Sequence, residues 1–126
     1  MIYKTRYFNR WARKVALSDS ALYHAVAEIR QGLVDTDLGG GIFKKRVALP
    51  GGGKRGSVRT LLATNRNDRW IFVFGFEKNE RANISDKELE ALRLLADDLL
   101  ALTESQISAA ISNGSLLEVL YETRNS

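Results

Sequence analysis

"SVRTLLATNRNDRWIFVFGFEK", residues 57–78, decides how this chain folds. From Trp70 to Phe76 only Gly75 interrupts a run of large apolar side chains, the pattern of a strand covered on both faces. "RND" at 66–68 is a turn signal, and the run before it, from Ser57, reads as the strand that precedes the turn. This hairpin therefore belongs at the centre of a sheet. Outward toward the N-terminus, "IFKKRVAL" (42–49) has a period of two and reads as another strand, and "PGGGKRG" (50–56) is the connecting loop. "DTDLGGG" (35–41) breaks the pattern before it. Residues 2–7 suggest an opening strand. Phe8, Trp11, Ala12, Val15 and Ala16 then share one helical face, and Leu22, Val26, Ile29 and Leu33 share the face of a second helix capped by Ser18 or Asp19. Outward in the other direction, "SDKE" (85–88) is a capping box. It opens a helix with Leu89, Leu92, Leu95, Ala96, Leu99 and Leu102 at spacings of three and four. A short helix over 104–112 follows, and "SLLEVLY" (115–121) can be a last strand or a helical turn. The reading is α+β, with the whole chain, 1–126, as one domain.

Charge is segregated along this framework. The chain carries 19 Lys and Arg against 15 Asp and Glu. Between Leu38 and Asn67 there is no acidic residue, while Lys44, Lys45, Arg46, Lys54, Arg55, Arg59 and Arg66 are all cationic. A second acid-free run holds Lys4, Arg6, Arg10, Arg13 and Lys14, whereas the C-terminal third is acidic. Such asymmetry sets up a field that favours a polyanion, and nucleic acid is the commonest. There is no cysteine, which excludes disulfides, thiolate chemistry and Cys-based metal sites and suggests a reducing compartment. The N-terminus has no apolar stretch of signal-peptide length, and nothing approaches a membrane span, so a cytoplasmic protein is expected.

The glycine-rich loop is not a nucleoside-triphosphate P-loop. Ala48 stands where that motif needs a glycine before Gly53-Lys54, and Arg55 where it needs Ser or Thr. Lys54 and Arg55 at a hairpin tip can instead contact a sugar-phosphate backbone. On the strand 42–49, Phe43 and Val47 want the core, so Lys44 and Arg46 should share the open face and Lys45 the covered one. Arg59, on the next strand, can join them. The alternative is a solubilising sheet edge guarded by lysines. Lys78, Asn79, Glu80 and Arg81 cluster where the central strand ends, either as functional groups or as a turn before the following helix. The one histidine, His24, has no partner ligands for a metal and reads as a solvated helix position. Trp11 reads as core, although beside Arg10 and Arg13 it could stack on a base.

These blocks resemble the RelE/HigB superfamily of bacterial toxin–antitoxin toxins. The matching residues are Lys44, Arg46, Val47 and Ala48; then Gly51, Gly53, Lys54, Arg55, Gly56 and Arg59; then Gly75, Phe76, Lys78, Asn79 and Glu80. Two departures stand out: Ser57 replaces a glycine, and residues 103–126 extend past the family's last helix. The resemblance implies a RelE-like fold, with an N-terminal strand, two helices, an antiparallel sheet of about four strands and a C-terminal helix. It implies a translation-inhibiting mRNA endoribonuclease that works on the ribosome without cofactor or metal. A cognate antitoxin, of helix-turn-helix type, would cover the basic groove and link the toxin to operator DNA only indirectly. The implied catalytic set is Lys44, Arg46, Arg59, Lys78 and Glu80, and the implied RNA-binding set is Lys45, Lys54, Arg55 and Arg81.

The chemistry suits that inventory, because RNA supplies its own nucleophile in the 2'-hydroxyl. The protein must align it, stabilise charge on the phosphate and assist proton transfers. Arg serves the charge, and Glu80 is the carboxylate considered as base. Two other readings are a gyrase poison of the same fold, as in the ParE branch, and a non-catalytic nucleic-acid or protein-binding module.

Overall fold

A computed structural model describes residues 1–33, 36–49 and 56–120. The sheet order is β2-β3-β4-β5-β1-β6, comprising β1 (Ile2–Thr5), β2 (Thr36–Gly39), β3 (Ile42–Ala48), β4 (Ser57–Thr64), β5 (Trp70–Glu77) and β6 (Leu116–Glu118). All neighbours are antiparallel except β1, which runs parallel to β5. The helices are α1 (Arg6–Lys14), α2 (Asp19–Arg30), α3 (Asp86–Ala101) and α4 (Glu104–Ser112).

The α+β class and the central hairpin agree with the sequence reading. The sheet is larger than the four antiparallel strands expected, and it is mixed. β2 forms from the segment read as a pattern break, where glycines at positive φ (Gly39, Gly40, Gly41) turn the chain back onto β3. β6 settles the ambiguous C-terminal run as a strand. The parallel pairing follows from the path through α1 and α2, which carries the chain from β1 across the sheet.

Two cores lie on opposite faces of this sheet. Phe8 and Ala12 of α1 and Leu22, Val26 and Ile29 of α2 pack on Phe43, Val47, Val58, Leu62, Trp70 and Phe72. On the other face, Leu92 and Ala96 of α3 and Ile107 of α4 cover Ile42, Leu61, Ala63, Ile71 and Val73. That double cover is why β5 is apolar throughout. A register shift between Leu61 and Leu62 makes Val73 the extra residue of β5. Beyond that bulge Phe74 and Phe76 face the α3 side, and Gly75 turns toward α1. A methyl group on Gly75 would overlap the Trp11 ring, so the glycine is what lets α1 lie flat on the sheet.

One buried cation organises the α3 end. α3 has no basic residue in its last turn. Arg69, from the β4–β5 turn, supplies that charge by donating to the carbonyls of Leu99 (3.1 Å), Leu100 (3.3 Å) and Leu102 (2.7 Å) and to Glu104 Oε2 (3.1 Å). At the other end the Ser85–Glu88 capping box is present. The tail beyond α3 packs through Ile107 and pairs β6 with β1, three strands away from β4. Among the described residues, neither α4 nor β6 reaches the Arg46–Arg59 end of β3 and β4.

Candidate functional site

On β3 and β4 the strand period sorts the cations. Ile42, Lys44 and Arg46 face the α3 side and Phe43, Lys45 and Val47 the α2 side. Register pairs Arg46 with Arg59 and Arg59 with Phe76, while Lys44 pairs with Leu61 and Leu61 with Phe74. Lys44, Arg46 and Arg59 therefore form one row of charge on one face, with Phe74 and Phe76 beside them. From Val58 to Thr64 every residue of β4 is buried except Arg59, which marks it as a side chain the core does not require. Its Nη1–H donates to Ser57 Oγ at 3.2 Å, so the serine that departs from the family's glycine holds the guanidinium.

α3 reaches this row through its N-terminus. Arg81 makes a bidentate pair with Glu88 at 2.6 and 2.9 Å and lies over the rings of Phe74 (5.5 Å) and Phe76 (5.8 Å). Those two donors, aided by the Ser85 backbone N–H at 2.9 Å, hold the Glu88 carboxyl down at about 2. The same pair raises the Arg81 guanidinium above its ordinary value. Lys44 Nζ donates to Asn83 Oδ1 at 3.4 Å, joining β3 to the segment before α3. Lys78 and Glu80 are exposed in the turn that leaves β5, and the Glu80 N–H donates to the Glu77 carbonyl at 3.0 Å.

Lys45 is not brought to this row. Its side chain is buried toward α2 with Nζ 2.7 Å from Glu28 Oε1. Lys54 and Arg55 lie outside the described residues. Three features escaped the sequence reading. One is the aromatic floor of Phe74 and Phe76, whose orientation depends on the bulge at Val73. Another is Tyr7, exposed and stacked on Phe74 at 6.1 Å between centroids, which borders a groove of about 470 Å³ with Val73, Leu92 and Leu95. The third is His24, exposed as expected, which nonetheless shares a 180 Å³ cavity with Glu28 and Arg46 at the β3 edge. A signal existed for the last: His24 and Glu28 are four apart on α2, and Glu28 is the partner of Lys45.

The chain matches the family described as RelE toxin of the RelE/RelB toxin–antitoxin system over residues 1–119. It belongs to the RelE toxin family. The matched span runs from β1 through β6 and so includes α4 and the tail strand. No curated protein matches the chain. Membership makes the protein a toxin of a toxin–antitoxin system and implies an antitoxin as its partner. Among the described residues no helix of this RelE toxin is long and apolar enough to cross a membrane, and no group of three or more His, Asp or Glu is placed to hold a metal ion.

Proposed function

We propose that this toxin is a ribosome-dependent endoribonuclease that cleaves mRNA in the cytoplasm and stops translation. The observation that supports it is the row of Lys44, Arg46 and Arg59 on a rigid sheet surface, with Arg46 and Arg59 in direct register. Neighbouring strands stand about 4.8 Å apart. Two guanidinium groups at that separation can grip one phosphate from two sides, and Lys44 adds a third charge two residues along.

The chemistry follows from what each group can do. Arg46 and Arg59 stabilise the additional negative charge that develops on the phosphate as the neighbouring 2'-oxygen attacks it. Lys44 orients a non-bridging oxygen. Phe74, half-buried and backed by the buried Phe76, gives a flanking base an apolar surface, and Arg81 above them supplies a further donor once it leaves Glu88. Glu80 removes the 2'-hydroxyl proton, and Lys78 beside it protonates the leaving 5'-oxygen. Lys54 and Arg55 extend the phosphate contacts. Lys45, committed to Glu28, has no part in the reaction. A helix-turn-helix antitoxin that covers the row blocks RNA entry.

Inducing the toxin without an antitoxin and mapping transcript ends is the direct test. New ends inside translated messages are expected, and they disappear in Arg59→Ala while folding is retained. Intact transcripts together with halted replication would replace this reading with gyrase poisoning.

A further inference from the structure

The cations of α1 belong neither to the two cores nor to the row on β3 and β4. Arg6, Arg10, Arg13 and Lys14 recur at helical spacing, all exposed, on the side away from the buried Phe8 and Ala12. α1 contains no acidic residue. Arg13 and Lys14 suit the last turn, where the helix dipole favours cations, but Arg6 sits in the first turn, where the dipole opposes it. Arg6 donates its Nε–H to the Gly114 carbonyl at 3.2 Å. Among the described residues Arg10, Arg13 and Lys14 make no ion pair. Among the described residues, no carboxylate therefore offsets the mutual repulsion of this ridge.

The side chains of the ridge stand apart and leave an open space between them. With Asn9, these four residues border a space of about 440 Å³ that no apolar residue lines. That composition separates the two kinds of acidic partner. A protein interface needs apolar or aromatic anchors at its centre. A sugar-phosphate backbone needs only cations and amide donors, and it is contacted regardless of sequence. Arg6 to Lys14 covers about 12 Å of helix at 1.5 Å per residue, enough to meet several successive phosphates. Arg6 lines the Tyr7–Phe74 groove as well, so the ridge adjoins the surface described above.

We propose that α1 is a second RNA-backbone site, on which Arg6, Arg10, Arg13 and Lys14 hold phosphates of an RNA without reading its sequence. It deepens the RNA reading of the toxin and rests on it for the identity of the polyanion.

The test measures binding of a labelled RNA hairpin to the antitoxin-free full chain by fluorescence anisotropy over a salt series. For R10Q/R13Q/K14Q, the salt slope is expected to fall by about two units, with affinity near 0.1 M salt falling about 100-fold. R10K/R13K keeps the unmodified slope. All three residues are exposed, so circular dichroism and Tm stay as in the parent and loss of folding is separable. An unchanged slope in the triple variant overturns the site, as does a variant that loses binding to polyglutamate while keeping RNA. Failure of the nuclease reading looks different: the α1-dependent slope persists while no transcript is cut by any form of the protein.

Discussion

Lys44 and Lys45 are neighbours in sequence and opposites in the molecule. Lys45 is turned to the α2 side, its side chain 8% exposed and its charge matched by Glu28. Lys44, one residue earlier, faces the other way and joins Arg46 and Arg59. The difference shows that a basic stretch is not a unit of function. The strand period divides it into a cation buried against α2 and cations that share the opposite face. Opposed like charges across a strand pair cost the sheet about 0.2–1 kcal/mol, so the Arg46–Arg59 register is an arrangement that stability alone does not favour.

The largest effect that can break this comparison is catalytic. On the proposed chemistry, Arg46→Ala with Arg59→Ala should lower mRNA cleavage about 1,000-fold, since each removes a guanidinium that this chemistry assigns to the developing charge. Tm should stay near the parent value, because neither side chain belongs to the two cores. Lys45→Met should leave cleavage near the parent rate. Equal losses in the two variants, measured by primer extension on induced transcripts, would erase the distinction between the faces.

How much of this was legible follows the same division. The period of two placed Lys44 and Arg46 together because Phe43 and Val47 left β3 a single arrangement. The apolar run of β5 announced a central strand, and Ser85 with Glu88 announced the start of α3. What stayed hidden depends on long-range partners. Lys45 needs Glu28 on α2 before its burial makes sense, and the facing of Phe74 and Phe76 needs a bulge that no local rule locates. β2 was invisible because a strand holding Gly39 beside two more glycines takes its order from pairing with β3 rather than from propensity. Arg69 follows the turn signal as if it opened the next strand, yet it caps a helix thirty residues on.

The next effects concern stability. Gly75→Ala forces a methyl into the Trp11 ring and should cost about 1–3 kcal/mol, read as a lowered denaturation midpoint with an unchanged m-value. Because α1 has to lift, the α2 side suffers first. Trp11 fluorescence should shift toward that of a more solvated indole. Glu28→Gln should cost about 1 kcal/mol, a modest figure because Glu28 is half exposed even though Lys45 is not. Adding Lys45→Met should restore that loss, since an apolar side chain of similar length suits a buried site better than an unmatched charge. No such rescue is expected at Lys44.

The smallest effect belongs to Arg81, which stands between the two kinds of cation: it is paired like Lys45 but half-exposed beside the row. The folded-state value of Glu88, about 2, lies below the ordinary carboxylate value of about 4.3, so its clamp adds stability above that value and loses it as pH falls through about 2. Glu88→Gln removes the charge while its amide oxygen can still accept from the Ser85 N–H. The Tm gap between parent and variant should therefore be small at neutral pH and close between about pH 4 and pH 2. Asp68, lowered by its bond from Asn65, titrates in both proteins and cancels. At neutral pH the same substitution frees Arg81 above Phe74 and Phe76. If that guanidinium belongs with the ligand-facing group, the variant's RNA salt slope should steepen by up to about 0.7, one extra phosphate on a single strand. An unchanged slope would place Arg81 with Lys45, as a charge the fold has already used.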